Sequence, residues 1–388
     1  MTEKESKKVI RTFSLASFLN DFGSDIIYPV WPLFVTSILG ANMAVLGLID
    51  GLGEAVVSIS QAASGYLADR FRKRKIFIWT GYLFGAFSRI GYALSTTWHH
   101  IIPFRILDRM GKIRSAPRDA IVADISTDEN RGKNFGLLRA MDNLGAVCGI
   151  LFCIIFFNLG YKTLFLIAAV PSLIGAVIIL FSIKEKRDST TTIFKGLSVR
   201  DLSRDFWIFL ILSSIFSLGA FSYSFLLLYA NASGIKQSSI PVLYLVFTAC
   251  AAAGSYSFGK LSDRLGRKIV ILVSFLLWIA VTAGFLFIRT YIGIVVIFIL
   301  YGLHKAAIEP VQKTLVAELA PPAYRSSSLG AFQMIIGICA LPSSLLAGIL
   351  WENVNMFAPL YLSLALTAIS TVMLFFLKEK NKGNNNGK

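Results

Sequence analysis

Apolar runs long enough to cross a bilayer recur along the whole 388-residue chain, beginning near residues 12, 42, 76, 99, 136 and 161 and again near 206, 240, 269, 292, 328 and 355. A spanning helix needs roughly 20 apolar residues, and each run is about 18 to 25 long. A membrane barrel would instead alternate in hydropathy with a period of two. With 55% hydrophobic and only 15% charged residues and a mean hydropathy of +0.67, the composition excludes a soluble globule. The expected fold class is an all-α polytopic membrane protein with twelve transmembrane helices.

The net charge of +16 sits in particular connections. Basic residues crowd Lys4 to Arg11, Arg70 to Lys75, Arg131 to Arg139, Lys184 to Arg204, Lys260 to Lys268, Arg325 and the stretch after Lys378. The alternate connections carry only Lys162, Lys236 and Arg289. Retention of basic loops on the cytoplasmic side explains this pattern and places both termini there, in a multi-pass protein of the cytoplasmic membrane. The partner implied for these cations is the lipid bilayer, and nucleic acid is excluded. The four cysteines lie in apolar runs without paired spacing and read as small packing residues. MTEKESKKVIR is short and charged, and the apolar stretch behind it is too long and too polar for a cleaved leader.

An internal repeat organises the spans. GYLADRFRKR at 65–74 recurs as GKLSDRLGRK at 259–268, an offset of 194 residues. The same shift carries Val122-Ala123-Asp124 onto Val316-Ala317-Glu318, Arg131 onto Arg325 and Gly136 onto Gly330. A repeat of this length is one six-helix unit, so two pseudo-symmetric six-helix bundles are expected, N-in and C-in. The expected boundaries are 1–183 for the first bundle, 184–204 for a cytoplasmic linker, 205–378 for the second bundle and 379–388 for a disordered tail.

The repeat also settles an awkward stretch. RILDRMGKIRSAPRDAIVAD (105–124) carries five basic and three acidic residues. Both copies of the Gly-Asp-Arg loop belong on one side, so an even number of crossings must separate them, and parity forces this segment through the bilayer. Each charge at the centre of a spanning helix costs about 2.5–3.5 kcal/mol, so such groups face a partner or a wetted cavity. Ideal helical spacing puts Arg105, Asp108, Arg109 and Lys112 on one face, the expected cavity lining. Arg114, Arg118 and Asp119 are expected to snorkel or pair at the inner mouth.

Two copies of G-x-x-x-D-R-x-x-[RG]-[RK] at a six-helix offset resemble the loop signature of the major facilitator superfamily, across essentially the whole chain. Arg105 and Pro117 also match the spacing of a fourth-span pattern common there. The version D-R-x-G-K-x-x-R-x-x-P-R-D-A looks like that of a largely uncharacterised prokaryotic branch. The resemblance implies a secondary transporter with a small-molecule substrate. It also implies a conformational switch in the two loops: Gly65 and Gly259 for close helix approach, and Asp69, Arg70, Asp263 and Arg264, with Arg131 and Arg325, for contacts broken as the halves swing.

Acids in the first span, Asp21 and Asp25, are expected to act as counter-ions of Arg105 or Arg109 or as proton carriers, so protons are a second expected partner. In the tenth span His304, Lys305 and Glu309 lie near mid-depth, above an expected distortion at Pro310. The seventh span offers Ser213, Ser214, Ser217, Ser222, Tyr223 and Ser224, neutral hydrogen-bonders suited to orienting a solute, although serine stripes in membrane helices more often serve packing. Arginine forks suit planar oxyanions, which favours an anionic or zwitterionic solute. Export of amphiphilic compounds is the alternative, and a non-transporting sensor a second. There is no H-E-x-x-H, G-x-S-x-G or Walker A pattern, so neither an enzyme nor a cofactor is expected. A monomer is expected.

Overall fold

The apolar runs fold as helices throughout. The computed structural model describes residues 3–71, 73–127, 130–183, 202–321 and 325–378, and every regular element among them is helical. The first part of the chain forms α1 (Glu3–Ile27), α2 (Trp31–Leu33), α3 (Met43–Phe71), α4 (Lys75–Leu94), α5 (Trp98–Met110), α6 (Ser115–Asp124), α7 (Arg131–Ile155) and α8 (Tyr161–Ser182). After them come α9 (Arg204–Gly219), α10 (Tyr223–Ala232), α11 (Ile240–Leu265), α12 (Arg267–Phe287), α13 (Tyr291–Leu319), α14 (Arg325–Asn353) and α15 (Ala358–Phe375). Residues 184–201 of the expected linker and the tail 379–388 lie outside the described residues.

Among the described residues nine helices are long and apolar enough to cross a membrane. The first rod (α1–α2), α4 and the α5–α6 segment are not among the nine, because these carry polar and charged groups in mid-rod. Three rods are interrupted. Pro29 and Pro32 remove backbone donors, and α1 stops at Ile27, turns through 28–30 and resumes as α2, followed by a π turn over Phe34–Ile38. The repeat offset sends Tyr28 to Ser222, and there α9 gives way to α10 across residues 220–222. The charged fourth rod tightens to a 3-10 turn over Gly111–Arg114 between α5 and α6. Pro310, by contrast, lies inside α13, which runs from Tyr291 to Leu319 without a break.

Helix contacts fall mostly within each half: α1 on α7 and α8, α4 on α5 and α8, then α11 and α12 on α13, and α9 and α12 on α15. Gly145 and Gly149 press α7 onto α1, where a Cβ would stand 2.4 Å from the Phe18 carbonyl oxygen and 2.3 Å from that of Phe22. The halves meet chiefly along α3 and α14, with α7 on α11 and α2 on α10 beside them.

Candidate functional site

The α3–α14 seam closes like a zip because glycines remove the teeth. A Cβ on Gly348 would lie 2.2 Å from the Met43 carbonyl oxygen, one on Gly47 2.0 Å from that of Ser344, and one on Gly51 2.7 Å from Leu341 Cα. The contact continues as far as Gly337 against Ser58. One turn further towards the chain termini Ala62 is exposed, and two turns along the opposing helix no described residue lies within 4 Å of a Cβ on Gly330. The two halves are therefore sealed at the end away from the termini and part towards the other.

Arg105 lies at the sealed end and is 1% exposed. Its guanidinium lies 4.2 Å over the Trp31 ring, and one Nη donates to Asp50 Oδ1 at 3.0 Å. Trp31 Nε1 donates to the same oxygen at 2.8 Å. The other oxygen, Oδ2, accepts from the Ser222 hydroxyl at 2.7 Å and from the Ser224 hydroxyl, both at the start of α10. Asp50 is 2% exposed, so this carboxylate is held by four donors from three elements, one of them in the other half. At that depth it balances Arg105 in place of the expected Asp21 or Asp25.

Arg109, one turn on, is buried too, stacked 5.2 Å from the Tyr28 ring, donating to the Tyr28 hydroxyl at 3.3 Å and paired with the exposed Glu54 at 3.6 Å. Three buried guanidinium nitrogens, Arg105 Nε and Nη1 and Arg109 Nε, have no hydrogen-bond partner among the described residues. A Cβ on Gly53 would stand 3.2 Å from Arg105 Nε and 3.3 Å from Arg109 Nε, so two of these donors converge above a residue without a side chain. Asp108 is half-buried 3.4 Å from the Ser88 hydroxyl, and Lys112 is half-buried in the 3-10 turn. Across the seam Lys305 is half-buried and 3.9 Å from the exposed Glu309. His304 is buried: its Nδ1 is 2.9 Å from the Ser274 carbonyl oxygen, and Trp278 and Phe216 pack on its ring.

The terminus side of the first half holds a second network. Arg114 and Arg118 do not snorkel; they are buried at 6% and 5% exposure. Arg114 lies over Tyr82, donates to the Gly111 carbonyl at 2.8 Å and is 3.9 Å from Asp21. Arg118 donates to Ser17 at 2.6 Å and to Asp119 at 2.9 Å, with Asp142 at 3.8 Å. Acceptors are close at hand, so these cations need not reach for water. Asp25 is buried and faces the Tyr244 hydroxyl of the other half, and among the described residues it forms no ion pair. Sequence reasoning missed Asp50, Glu54 and Arg89. Arg89 is buried among neutral acceptors, donating to Ala168, Ser172, Asn20 and Ser24.

Of the expected switch, the side chains of Asp69, Arg70, Arg131 and Arg325 lie outside the described residues. Asp263 pairs with Arg267 at 2.6 Å, and Glu318 joins at 3.1 Å, at the first residue of α12. Arg264 is exposed. Gly65 makes an ordinary contact, 3.6 Å from a built Cβ to Ala116, whereas nothing approaches Gly259 within 4 Å. The close approach expected at Gly259 is therefore not seen among the described residues.

A family model described as Major Facilitator Superfamily matches residues 13–236 and 209–388. The chain belongs to this superfamily. An uncharacterized MFS-type transporter of Methanocaldococcus jannaschii is 35% identical over 97% of this chain and 96% of its own. Quinolone resistance protein NorA of Staphylococcus aureus is 23% identical over 93% of this chain and 94% of its own. Among solved structures, a D-xylose-proton symporter superposes with a TM-score of 0.78 at 14% identity, covering 97% of this chain and 99% of that one. An inward-facing, occupied bacterial homologue of the lysosomal transporter Spinster superposes at 0.77 and 13% identity, covering 97% of both chains. Major facilitator membership makes the protein a membrane transporter rather than an enzyme.

Proposed function

We propose that this protein moves a small anionic or zwitterionic organic solute across the cytoplasmic membrane by alternating access, coupled to protons, through a seam between two six-helix bundles (1–183 and 205–378). On the reading of twelve crossings with both termini inside, the sealed end is the outer one and this arrangement is inward-facing. The observation that carries the solute class is the set of three buried guanidinium nitrogens without an acceptor among the described residues, two of them converging over Gly53. An unpartnered buried donor costs about 1–3 kcal/mol, more when charged, and a carboxylate or similar oxyanion would recover it. The exposed carboxylates of Glu54 and Glu309 suit the cationic group of a zwitterion.

Asp25, facing Tyr244 across the seam without an ion-pair partner, supports the proton-carrying role, with Asp21 one turn away tied to Arg114. The test is uptake into proteoliposomes under an imposed pH gradient, across a panel of carboxylates, amino acids and hydrophobic cations. Gradient-driven accumulation of an anion or zwitterion is expected, lost in Arg109→Ala and uncoupled from pH in Asp25→Asn. Uptake that ignores Arg109→Ala would remove the oxyanion reading. A second reading, export of amphiphilic compounds, draws on the tyrosines at the seam (Tyr28, Tyr223, Tyr244, Tyr301) and on the quinolone-resistance relative. Movement of the hydrophobic cations alone would select it.

A further inference from the structure

The sealed end is joined by two carboxylates that each cross to the other half and meet the beginning of a helix there. Asp50, on α3, accepts the hydroxyl protons of Ser222 and Ser224 at the start of α10. Reciprocally, Glu352, on α14, accepts the backbone N–H of Met43, the first residue of α3, at 2.6 Å. A helix start carries about half a positive charge and backbone donors without intrahelical partners, so each acid complements a helix start of the other half, Glu352 through a backbone N–H and Asp50 through two hydroxyls. The arrangement exists only while this end is shut. Separating the halves strips Asp50 of both serines and Met43 of its acceptor.

We propose that Asp50 and Glu352 form a reciprocal latch that holds the sealed end shut, and that Asp50 links this latch to the solute site by positioning Arg105. The two members are unequal. Asp50 is 2% exposed and bonded by four donors in a site where charge is poorly screened, whereas Glu352 is exposed to solvent. Asp50 therefore carries most of the closing preference. The link to the solute site is direct: the guanidinium that grips Asp50 through one nitrogen presents Nε and Nη1 without acceptors. An oxyanion drawn to those nitrogens competes with Asp50 for Arg105, so arrival of solute weakens the grip on the carboxylate that holds α10.

The inference rests on the alternating-access reading above, and thiol accessibility tests the two separately. In a background with Cys148, Cys153, Cys250 and Cys339 replaced by serine or alanine, a single cysteine is placed at Ala347 (2% exposed, sealed end) or at Ala62 (exposed, parted end). N-ethylmaleimide labelling rates are then measured on the full-length protein in proteoliposomes. Asp50→Asn is expected to raise labelling at 347 by about five-fold or more and to lower it at 62, the scale of a typical coupling between two states. Glu352→Gln should move both rates in the same directions by less, and Asp50→Glu should restore much of the wild-type ratio. An unchanged rate at 347 in Asp50→Asn overturns the latch, and so does a rise at both positions, which reports a loosened protein. If instead wild-type protein transports while position 347 is never labelled, alternating access itself fails.

Discussion

At the scale of single residues the controlling fact is that a charge buried in a membrane protein must find its complement within a few ångströms. Arg105 and Asp50 are such a pair, each at most 2% exposed and joined at 3.0 Å. Removing one member leaves the other uncompensated, a loss of about 3–5 kcal/mol, whereas removing both costs much less. Arg105→Gln should therefore lower stability towards denaturant strongly, and Asp50→Asn combined with it should recover a large part. Additive losses in that double-mutant cycle would mean that the two groups are solvated independently. Half of this pair was legible in the sequence. Arg105 announced itself inside a conspicuous charged stretch, but Asp50 stands in the apolar run MAVLGLIDGLGEA, where a lone acid barely shifts hydropathy. Taking every intramembrane acid as owed a cation would have found Asp50 and Glu54 together, four residues apart on one face of α3. Arg89 was beyond such reasoning, because its acceptors are carbonyls, hydroxyls and an amide rather than a carboxylate.

At the scale of elements, backbone chemistry decides where rods break and where they touch. The breaks after α1 and α9 fall at positions related by the repeat offset, yet only the first is written in prolines; the second is a run of Gly219, Ala220, Phe221 and Ser222 whose N-cap serine starts α10. That is why the first was legible and the second was not. The 3-10 turn at Gly111–Arg114 was equally hidden, and it winds Lys112 and Arg114 more tightly relative to Arg105 than an ideal α-helix would. Close approach is also local. Gly145→Ala would place a methyl group 2.4 Å from the Phe18 carbonyl oxygen, on backbone that no rotamer can clear, whereas Gly136→Ala meets nothing within 4 Å on the same helix. The first should cost about 1–3 kcal/mol in overpacking and lower the yield of folded protein in detergent. The second should leave yield and melting temperature unchanged or slightly raised, since alanine favours the helix by about 1 kcal/mol over glycine. Equal behaviour of the two variants would show that α7 does not press on α1.

At the scale of the whole molecule the seam makes the two ends antagonists, because the same pair of helices that interlocks near Met43 and Gly348 has separated by Ala62 and Gly330. Glycines on that seam belong to one state only, so a substitution there acts on an equilibrium rather than on folding alone. A methyl group on Gly47 would sit 2.0 Å from the Ser344 carbonyl oxygen in the sealed arrangement, a conflict that opening this end removes. An overpacking penalty of about 1–3 kcal/mol borne by one of two states shifts their ratio by roughly 5- to 150-fold. Spin labels on the exposed residues Ile38 and Val354 would report the sealed end, and labels on the exposed Phe71 and Leu265 the opposite one. In Gly47→Ala the 38–354 distance distribution should move to longer values while the 71–265 distribution moves to shorter ones. Lengthening at both pairs would mean that the halves simply come apart. Unchanged distributions would mean that the structure tolerates the methyl group without leaving this state, and the seam would then not be the element that alternates.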